Sequence, residues 1–319
     1  MQTFTTWAGA PHGERGAVAA IGNFDGVHLG HRTVIEIARK QATAHGVPLG
    51  VLTFEPHPRQ HFAPDAPPFR LMNAEARSNR LAKLQIDHLY ELPFDAKLAA
   101  LSPEAFAREV LHEGLGLAHV VVGQDFCFGK GRKGNVADLK RFGDELGFGV
   151  TAVELLSNEG GAVSSTAIRD ALTDGRPRDA AAMLGHWHRI EGAVLHGDSR
   201  GHALGYPTAN MSIHNLHRPR FGVYAVRVDV LSGPHKGTYD GAASIGVRPM
   251  FGENVPNCES FLFDFKGDLY GTHLSVALVE FLRDEAKYDS LNELVAQIDR
   301  DCARAREILA NEPPLPWRP

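Results

Sequence analysis

Apolar positions in the first half of the chain follow two alternating rhythms. The run AVAAI (17–21) is continuous, as in a strand buried on both faces, and HRTVIEIARKQATAHG (31–46) then spaces its apolar residues helically up to a glycine stop. PLGVLTF, NAEARSNRLAKLQ, HLYELPF, SPEAFAREVLHEGL, AHVVVG, VADLKRFGDELG and GVTAVEL continue the alternation of strand-like and helix-like segments, which holds up to about residue 185. That order predicts a parallel sheet with crossover helices. Ser102 followed by Pro103 is the clearest helix start, an N-cap with proline at the first helical position. Ligands of such sheets bind beyond the carboxyl ends of the strands, so the loops that follow strands should converge on one crevice.

After GRPRDAAAMLGHWHR the rhythm changes to short strands, RIEGAVLHG, GVYAVRVDV, TYDGAASIG, ESFLFDF and THLSVALVEF, separated by turns containing glycine and proline. Tyr224, Val226, Val228 and Val230 alternate with Ala225, Arg227 and Asp229, the period of a half-buried strand. Several such strands suggest a small antiparallel barrel. SLNELVAQIDRDCARAREILA then predicts a closing helix over about 290–310 with Ser290 as N-cap. A chain of 319 residues exceeds the roughly 250–300 at which one core stops growing, so two domains are expected, 1–185 and 186–319.

Composition narrows the function. With 43% hydrophobic and 22% charged residues the chain reads as globular, and a net charge of −5 argues against a general nucleic-acid binder. The segment MQTFTTWAGAPHGERGA has no apolar signal core, and no stretch approaches the ~18 apolar residues of a membrane span, so a cytoplasmic protein without membrane contact is expected. Cys127, Cys258 and Cys302 are isolated, which suits a reducing compartment, and none is assigned a catalytic role.

The candidate chemistry begins with GNFDGVHLGH (22–31), which puts two histidines three apart where a strand hands over to a helix. Free N–H groups and the helix dipole attract anions there, Gly26 and Gly30 allow close backbone approach, and His28 and His31 add donors for a polyphosphate. Ordinary capping and zinc binding compete with this reading. TFEPHP (53–58) holds Glu55 and His57 in a proline-stiffened turn or is simply a rigid connector. VVGQDFCFGKGRKGN (121–135) is a glycine-rich loop with Lys130, Arg132 and Lys133 flanked by Phe126 and Phe128; it lacks the order of a P-loop. Its aromatic faces suit a planar ring and its cations a phosphate, or the loop is a solvated one over a core phenylalanine.

VSSTAIR (163–169) opens a helix with three hydroxyls and Arg169 one turn on, although Ser164 or Ser165 also suits a plain N-cap. GYPTAN (205–210) offers Thr208 and Asn210 as hard oxygen ligands suited to Mg²⁺ with a nucleotide phosphate. Glu259 is read as beginning the strand ESFLFDF, on the same face as Phe261 and Phe263, where it is a functional carboxylate or a polar strand-end residue.

The HxGH pattern resembles the nucleotidylyltransferase signature. In order, GNFDGVHLGH, TFEPHP, VVGQDFCFGKGRKGN, VSSTAIR, GYPTAN, ASIGVRPMFG, ESFLFDF and DLYG resemble the bacterial bifunctional riboflavin kinase/FMN adenylyltransferase (FAD synthetase) family across nearly the whole chain. The resemblance implies a Rossmann-like parallel α/β nucleotidylyltransferase domain followed by an antiparallel β-barrel riboflavin kinase domain with a terminal helix. It implies riboflavin, FMN and ATP as partners and Mg²⁺ as cofactor; the charge leaves no nucleic acid among the expected partners, and weak self-association stays open. His28 and His31 match residues that hold ATP phosphates and stabilise departing pyrophosphate; Gly22, Asn23, Phe24, Asp25, Gly30, Ser164, Ser165, Thr166 and Arg169 match the ATP and phosphate site. Phe62, Asp125, Phe126 and Phe128 match flavin-binding positions, Thr208 and Asn210 the metal ligands, and Glu259 the base for the riboflavin hydroxyl. His202, Tyr206 and Met250 depart from the family pattern, which keeps open an adenylyltransferase with a weak kinase. A non-catalytic flavin sensor on the same fold is the third alternative.

Overall fold

Strands made almost wholly of apolar residues need cover on both faces, and packed helices supply it to the inner strands of a parallel sheet of six. The six are β1 (Gln2–Phe4), β2 (Val18–Ile21), β3 (Leu49–Glu55), β4 (His88–Pro93), β5 (His119–Gly123) and β6 (Gly149–Val153), in the order β1-β4-β3-β2-β5-β6. The computed structural model describes residues 1–8, 15–154, 157–158, 161–195, 206–250 and 253–312. Two compact units divide the chain, Met1–Pro67 with Arg77–Val163 and Pro68–Ala76 with Ser164–Pro319.

In the first unit the helices are α1 (Leu29–His45), α2 (Pro58–Phe62), α3 (Ala74–Lys83, shared with the second unit's segment), α4 (Ala96–Ala100), α5 (Pro103–Ala105) and α6 (Val136–Leu146). One sheet face, with Ile21, Leu52, Phe54, Leu92, Val120 and Val122, packs against Leu98, Phe106, Leu111, Leu139 and Phe142. On the other face α1 lies against β2, β3 and β5. Ser102 does cap α5, accepting from Ala105 N–H at 3.1 Å, but the expected long helix changes pitch after one turn and runs as a π-helix over Phe106–Gly114. Two features accommodate this end. A side chain at Gly114 would strike the Trp7 carbonyl, and Arg15 donates to the carbonyls of His112, Glu113 and Gly114. A short hairpin of β7 (Ser157–Asn158) and β8 (Gly161–Ala162) follows β6.

The second unit contains α7 (Ser165–Thr173), α8 (Pro177–Leu184), β9 (Arg189–Ala193), β10 (Ala209–Ser212), β11 (Gly222–Val230), β12 (Gly237–Met250), β13 (Glu253–Leu262), β14 (His273–Arg283) and α9 (Leu291–Asn311). The two helices after Val163, which the sequence rhythm runs on with the first half, pack here: Ile168, Ala171, Leu172, Ala180 and Leu184 bury Leu71. The six strands are antiparallel in the order β10-β13-β12-β11-β14-β9. Among the described residues a bridge, Leu195 N–H to Asn210 C=O at 2.8 Å, joins the two edges and nearly closes a barrel.

Alternation decides what fills it. Tyr224, Val226, Val228 and Val230 point inward with Met211, Ile245, Cys258 and Leu278, whereas Ala225, Ala242, Ala277 and Val279 point outward under Ala305 and Leu309 of α9. Two strands differ from the sequence reading. Asn210 lies on β10, where the sequence suggested a loop, and Glu259 lies well inside β13 rather than at its start. Both misreadings have one cause: polar residues on a barrel's outer face interrupt the apolar signal that marks a strand.

An ion pair fastens α9 to the barrel. Arg283 Nε lies 2.9 Å and Nη2 2.7 Å from Asp301 Oδ2, and Gln297 donates to Oδ1 at 2.8 Å. The hydrogen bond and charge of Asp301 raise the Arg283 pKa against the opposing effect of its burial. Since Asp301 is buried, Asp301→Ala leaves a guanidinium partly desolvated and unpartnered by its carboxylate. We expect this substitution to destabilise the second unit by about 2–3 kcal/mol, below the ~3–5 kcal/mol of a fully buried pair because Arg283 retains some exposure. Denaturant unfolding of the full chain measures the shift, and a change below about 0.5 kcal/mol would assign the pair to the solvated class.

Candidate functional sites

β2 and β5 are neighbours in the first sheet, yet the chain leaves β2 for β3 on one side and β5 for β6 on the other. Their two carboxyl-end loops, 22–28 and 124–135, therefore leave from adjacent strand ends at the sheet's switch point, where doubly wound folds bind ligands. The first of them is tightly coiled. Phe24 (φ 50°), Gly26 (φ 88°) and Val27 (φ 43°) all take left-handed backbone conformations. For non-glycine residues such angles cost of order 1–3 kcal/mol each, and a β-branched valine there is an outlier. The surroundings hold them: Phe24 and Val27 are fully buried, Gly22 N–H donates to Leu52 C=O, and Thr53 Oγ1 donates to Asn23 C=O. Asp25 is buried too.

His28 is the N-cap of α1, its Nδ1 accepting from His31 N–H at 3.3 Å. The two rings stack with centroids 3.7 Å apart and planes at 16°, and the Phe24 ring lies 5.1 Å from His31. Gly30 lies beneath them; a Cβ there would sit 3.1 Å from His28 Cε1. Capping and a functional arrangement thus coincide in one residue. Burial, and secondarily the neighbouring His28, hold the His31 imidazole well below its ordinary pKa, and its Nδ1 is buried without a hydrogen-bond partner. Among the described residues no group of three His, Cys, Asp or Glu side chains gathers as metal ligands.

At the second loop Asp125 is exposed, and Phe126 stacks on Phe128 at 5.6 Å and 14°. Phe128 itself belongs to the core, so the ring available to a ligand is Phe126, with Phe128 as its backing. Lys130, Arg132 and Lys133 are exposed on a loop that Phe128 and Gly134 close with reciprocal backbone hydrogen bonds. Phe62, at the end of α2, is 67% exposed and meets Phe94 edge to face. His57 is used locally as the cap of α2. Glu55 pairs at 2.9 Å with the fully buried Arg77, which also binds Glu91 at 2.6 Å and so ties the ends of β3 and β4.

In the second unit Ser164 is the N-cap of α7, accepting from Ala167 N–H at 3.2 Å, with Ser165 and Thr166 in the first turn. Arg169 Nε donates to Phe69 C=O at 2.6 Å and its guanidinium stands 5.4 Å from the Phe69 ring. Thr208 and Asn210 lie at the entry to β10. Antiparallel register sets Asn210 directly opposite Glu259, and Ser244 of β12 opposite Glu259 on the other side. All three point away from the barrel interior, since Ala209, Met211, Cys258 and Ser260's neighbour Leu262 belong to the inward set or its parity. The sequence contains no trace of this meeting of residues forty-nine apart, 210 and 259.

Sequence reading also missed Asn257, whose amide donates to Glu259 Oε1 at 3.2 Å; the two-residue spacing within a strand was the available signal. Tyr206 leans edge-on against Phe261 and donates to Asp299 at 2.5 Å, a bond that pushes its pKa up to about 12. His202 lies outside the described residues, as does the side chain of Met250.

Two family models match the chain, FAD synthetase over residues 10–167 and riboflavin kinase over 184–309. Curated relatives named bifunctional riboflavin kinase/FMN adenylyltransferase include those of Escherichia coli K12, 39% identical over 92% of this chain and 93% of that one, and Pseudomonas fluorescens, 41% identical over 93% and 94%. The Bacillus subtilis relative of the same name is 37% identical over 92% and 93%. A crystal structure from Streptococcus pneumoniae named as a macrolide-efflux protein superposes with a TM-score of 0.83 at 31% identity, covering 98% of this chain and all of that one. Among the described residues of this chain no helix is long and apolar enough to cross a membrane.

The buried His31 ring makes stability depend on pH. Its folded pKa lies below the unfolded value of about 6.5, so as pH falls through 6.5 the unfolded chain binds a proton that the folded chain refuses. Stability from this residue is complete above that pH and falls by up to about 1.4 kcal/mol per unit below it. His31→Asn is expected to flatten the loss of stability between about pH 6.5 and 5.5. Denaturant unfolding at the two pH values checks this, and an unaltered slope would show that His31 titrates normally.

Proposed function

The chain belongs to the bifunctional riboflavin kinase/FMN adenylyltransferase family, and from that premise we propose which residues make FAD from riboflavin in two ATP-dependent steps. Riboflavin and ATP give FMN and ADP; FMN and a second ATP give FAD and pyrophosphate. Residues 1–185 are proposed to carry adenylyl transfer and 186–319 phosphorylation, a division supported by matches at 10–167 and 184–309.

The two steps make different demands on a protein. In adenylyl transfer the nucleophile is the FMN phosphate, already an anion at neutral pH, so positioning and charge stabilisation suffice and no base is needed. His28 and His31 hold ATP phosphates and stabilise the departing pyrophosphate, in a loop shaped by Gly22, Asn23, Phe24, Asp25 and Gly30. A neutral imidazole still donates one N–H, so the lowered pKa of His31 fits a holding role rather than proton transfer. Ser164, Ser165, Thr166 and Arg169 are proposed phosphate contacts at the start of α7. Phe62, Asp125, Phe126 and Phe128 are proposed around the flavin, with exposed Phe62 and half-buried Phe126 offering ring faces.

Phosphorylation instead starts from an alcohol, which must lose a proton as its oxygen attacks. Glu259 is the proposed acceptor of that proton. Asn210, whose amide nitrogen turns towards Thr208 C=O at 3.5 Å, keeps its side-chain oxygen as an acceptor, and Thr208 adds a hydroxyl. These hard oxygens fit Mg²⁺, which when bound supplies neutralising charge for the ATP phosphates. The register of Asn210 against Glu259 carries the reading, because it puts a phosphate-side ligand and a base on one face of one strand pair. The cytoplasm is the proposed compartment, consistent with use of ATP and with three free cysteines.

Incubation of the full chain with riboflavin and Mg-ATP, with products separated by chromatography, tests the assignment. His28→Ala is expected to lower FAD formation by at least about 100-fold while FMN formation continues. Thr208→Ala and Asn210→Ala are expected to stop at riboflavin yet convert supplied FMN to FAD. Undiminished FAD synthesis in the His28 variant would remove the histidines from the mechanism.

A further inference from the structure

Resting on the reading of Glu259 as the proton acceptor, we propose that Asn257 is the positioning residue that holds the Glu259 carboxylate in its working orientation. Asn257 is only 2% exposed, and a buried amide is costly unless its hydrogen-bonding groups are used. Its Nδ2 donates to Glu259 Oε1 at 3.2 Å, from two residues earlier on the same strand and the same outer face. The backbone on both sides fixes where that amide sits: Asn257 pairs with Ser212 of β10 and with Gly246 of β12. Gly246 presents no side chain, and the place a Cβ would occupy is taken by the Glu285 carboxylate, whose Oε1 lies 2.1 Å from that point. The amide is thereby confined between two strands while its donor remains directed at Glu259.

An amide suits this role for a chemical reason. It donates to a carboxylate without charge, so it orients one oxygen without neutralising the group; a Lys or Arg there would pair with Glu259 and weaken it as a base. Nor does the amide compete for the proton. The residue between them, Cys258, points into the barrel, where burial pushes its thiol up to about 12, so it stays protonated and takes no part. A base attacking an alcohol proton gains most from being held in one geometry before the substrate arrives.

The test compares Asn257→Val and Asn257→Thr in the full chain, since the two side chains have the same shape and differ by one hydroxyl donor. For Asn257→Val, kcat of FMN formation is expected to fall about 10-fold or more with KM for riboflavin and ATP within about two-fold, and Asn257→Thr to recover most of it. Conversion of supplied FMN to FAD, unchanged in both, verifies that the first unit is intact, and an unaltered denaturant unfolding curve verifies that the barrel is folded. In a Glu259→Gln background, Asn257→Val is expected to cost nothing further, whereas a purely structural residue would impose its loss again. Equal rates for the Val and Thr variants, a loss confined to KM, or an additive double variant would each overturn the proposal. Full kinase activity in Glu259→Gln alone would overturn the base assignment itself; an inactive Glu259→Gln beside a fully active Asn257→Val would overturn only the role of Asn257.

Discussion

Backbone pairing governs where polar chemistry can stand in each unit. A strand must satisfy its N–H and C=O groups along its whole length, so its side chains alone decide what else it does. In the first unit the inner parallel strands are buried on both faces along most of their length, and β2 has no position left over for a polar group. Function is consequently displaced to the strand ends, where the loops after β2 and β5 leave the sheet. In the second unit the antiparallel barrel has a filled interior and an outer face covered only in part by α9, so Asn210, Ser244, Asn257 and Glu259 can stand in mid-strand.

These two placements are stabilised in different ways. The loop after β2 spends conformational energy on left-handed Phe24 and Val27, and recovers it by burying both side chains and by stacking two imidazoles over a glycine. The cluster on the barrel requires no unusual backbone. Its geometry follows from the ladder, because antiparallel register brings residue 210 against 259 and 257 against 246 with no loop to adjust them. Such sites are stiff as long as the ladder is intact.

Much of this organisation was legible in the chain. Apolar runs alternating with helical spacing identified the parallel sheet, since its strands bury both faces and so carry an unbroken signal. The alternation of Tyr224, Val226, Val228 and Val230 gave the correct inward set of β11. What stayed hidden depends on non-local pairing. The sequence around Asn210 and just ahead of Glu259 lacks the apolar pattern of a strand, and nothing local says that the two face each other across β10 and β13. Ser164 is the cap that its residue type allows, Phe128 is the core ring under the basic loop, and His28 is a cap whose ring also belongs to the stack. The helix after Ser102 was expected in the right place, but its π pitch was beyond a reading of propensity because the close pass of Trp7 over Gly114 and the reach of Arg15 are tertiary.

The barrel's closure has a further consequence. Among the described residues its edges meet through the rung from Leu195 to Asn210, and one such hydrogen bond contributes about 1 kcal/mol net. The carbonyl of Asn210 closes the rung while its side chain faces outward, so one residue belongs both to the seam and to the polar cluster. By reciprocity, anything that binds this side chain more firmly when the seam is shut will hold the seam shut to the same extent. For such a ligand, occupancy of the cluster and closure of the barrel would be coupled through Asn210.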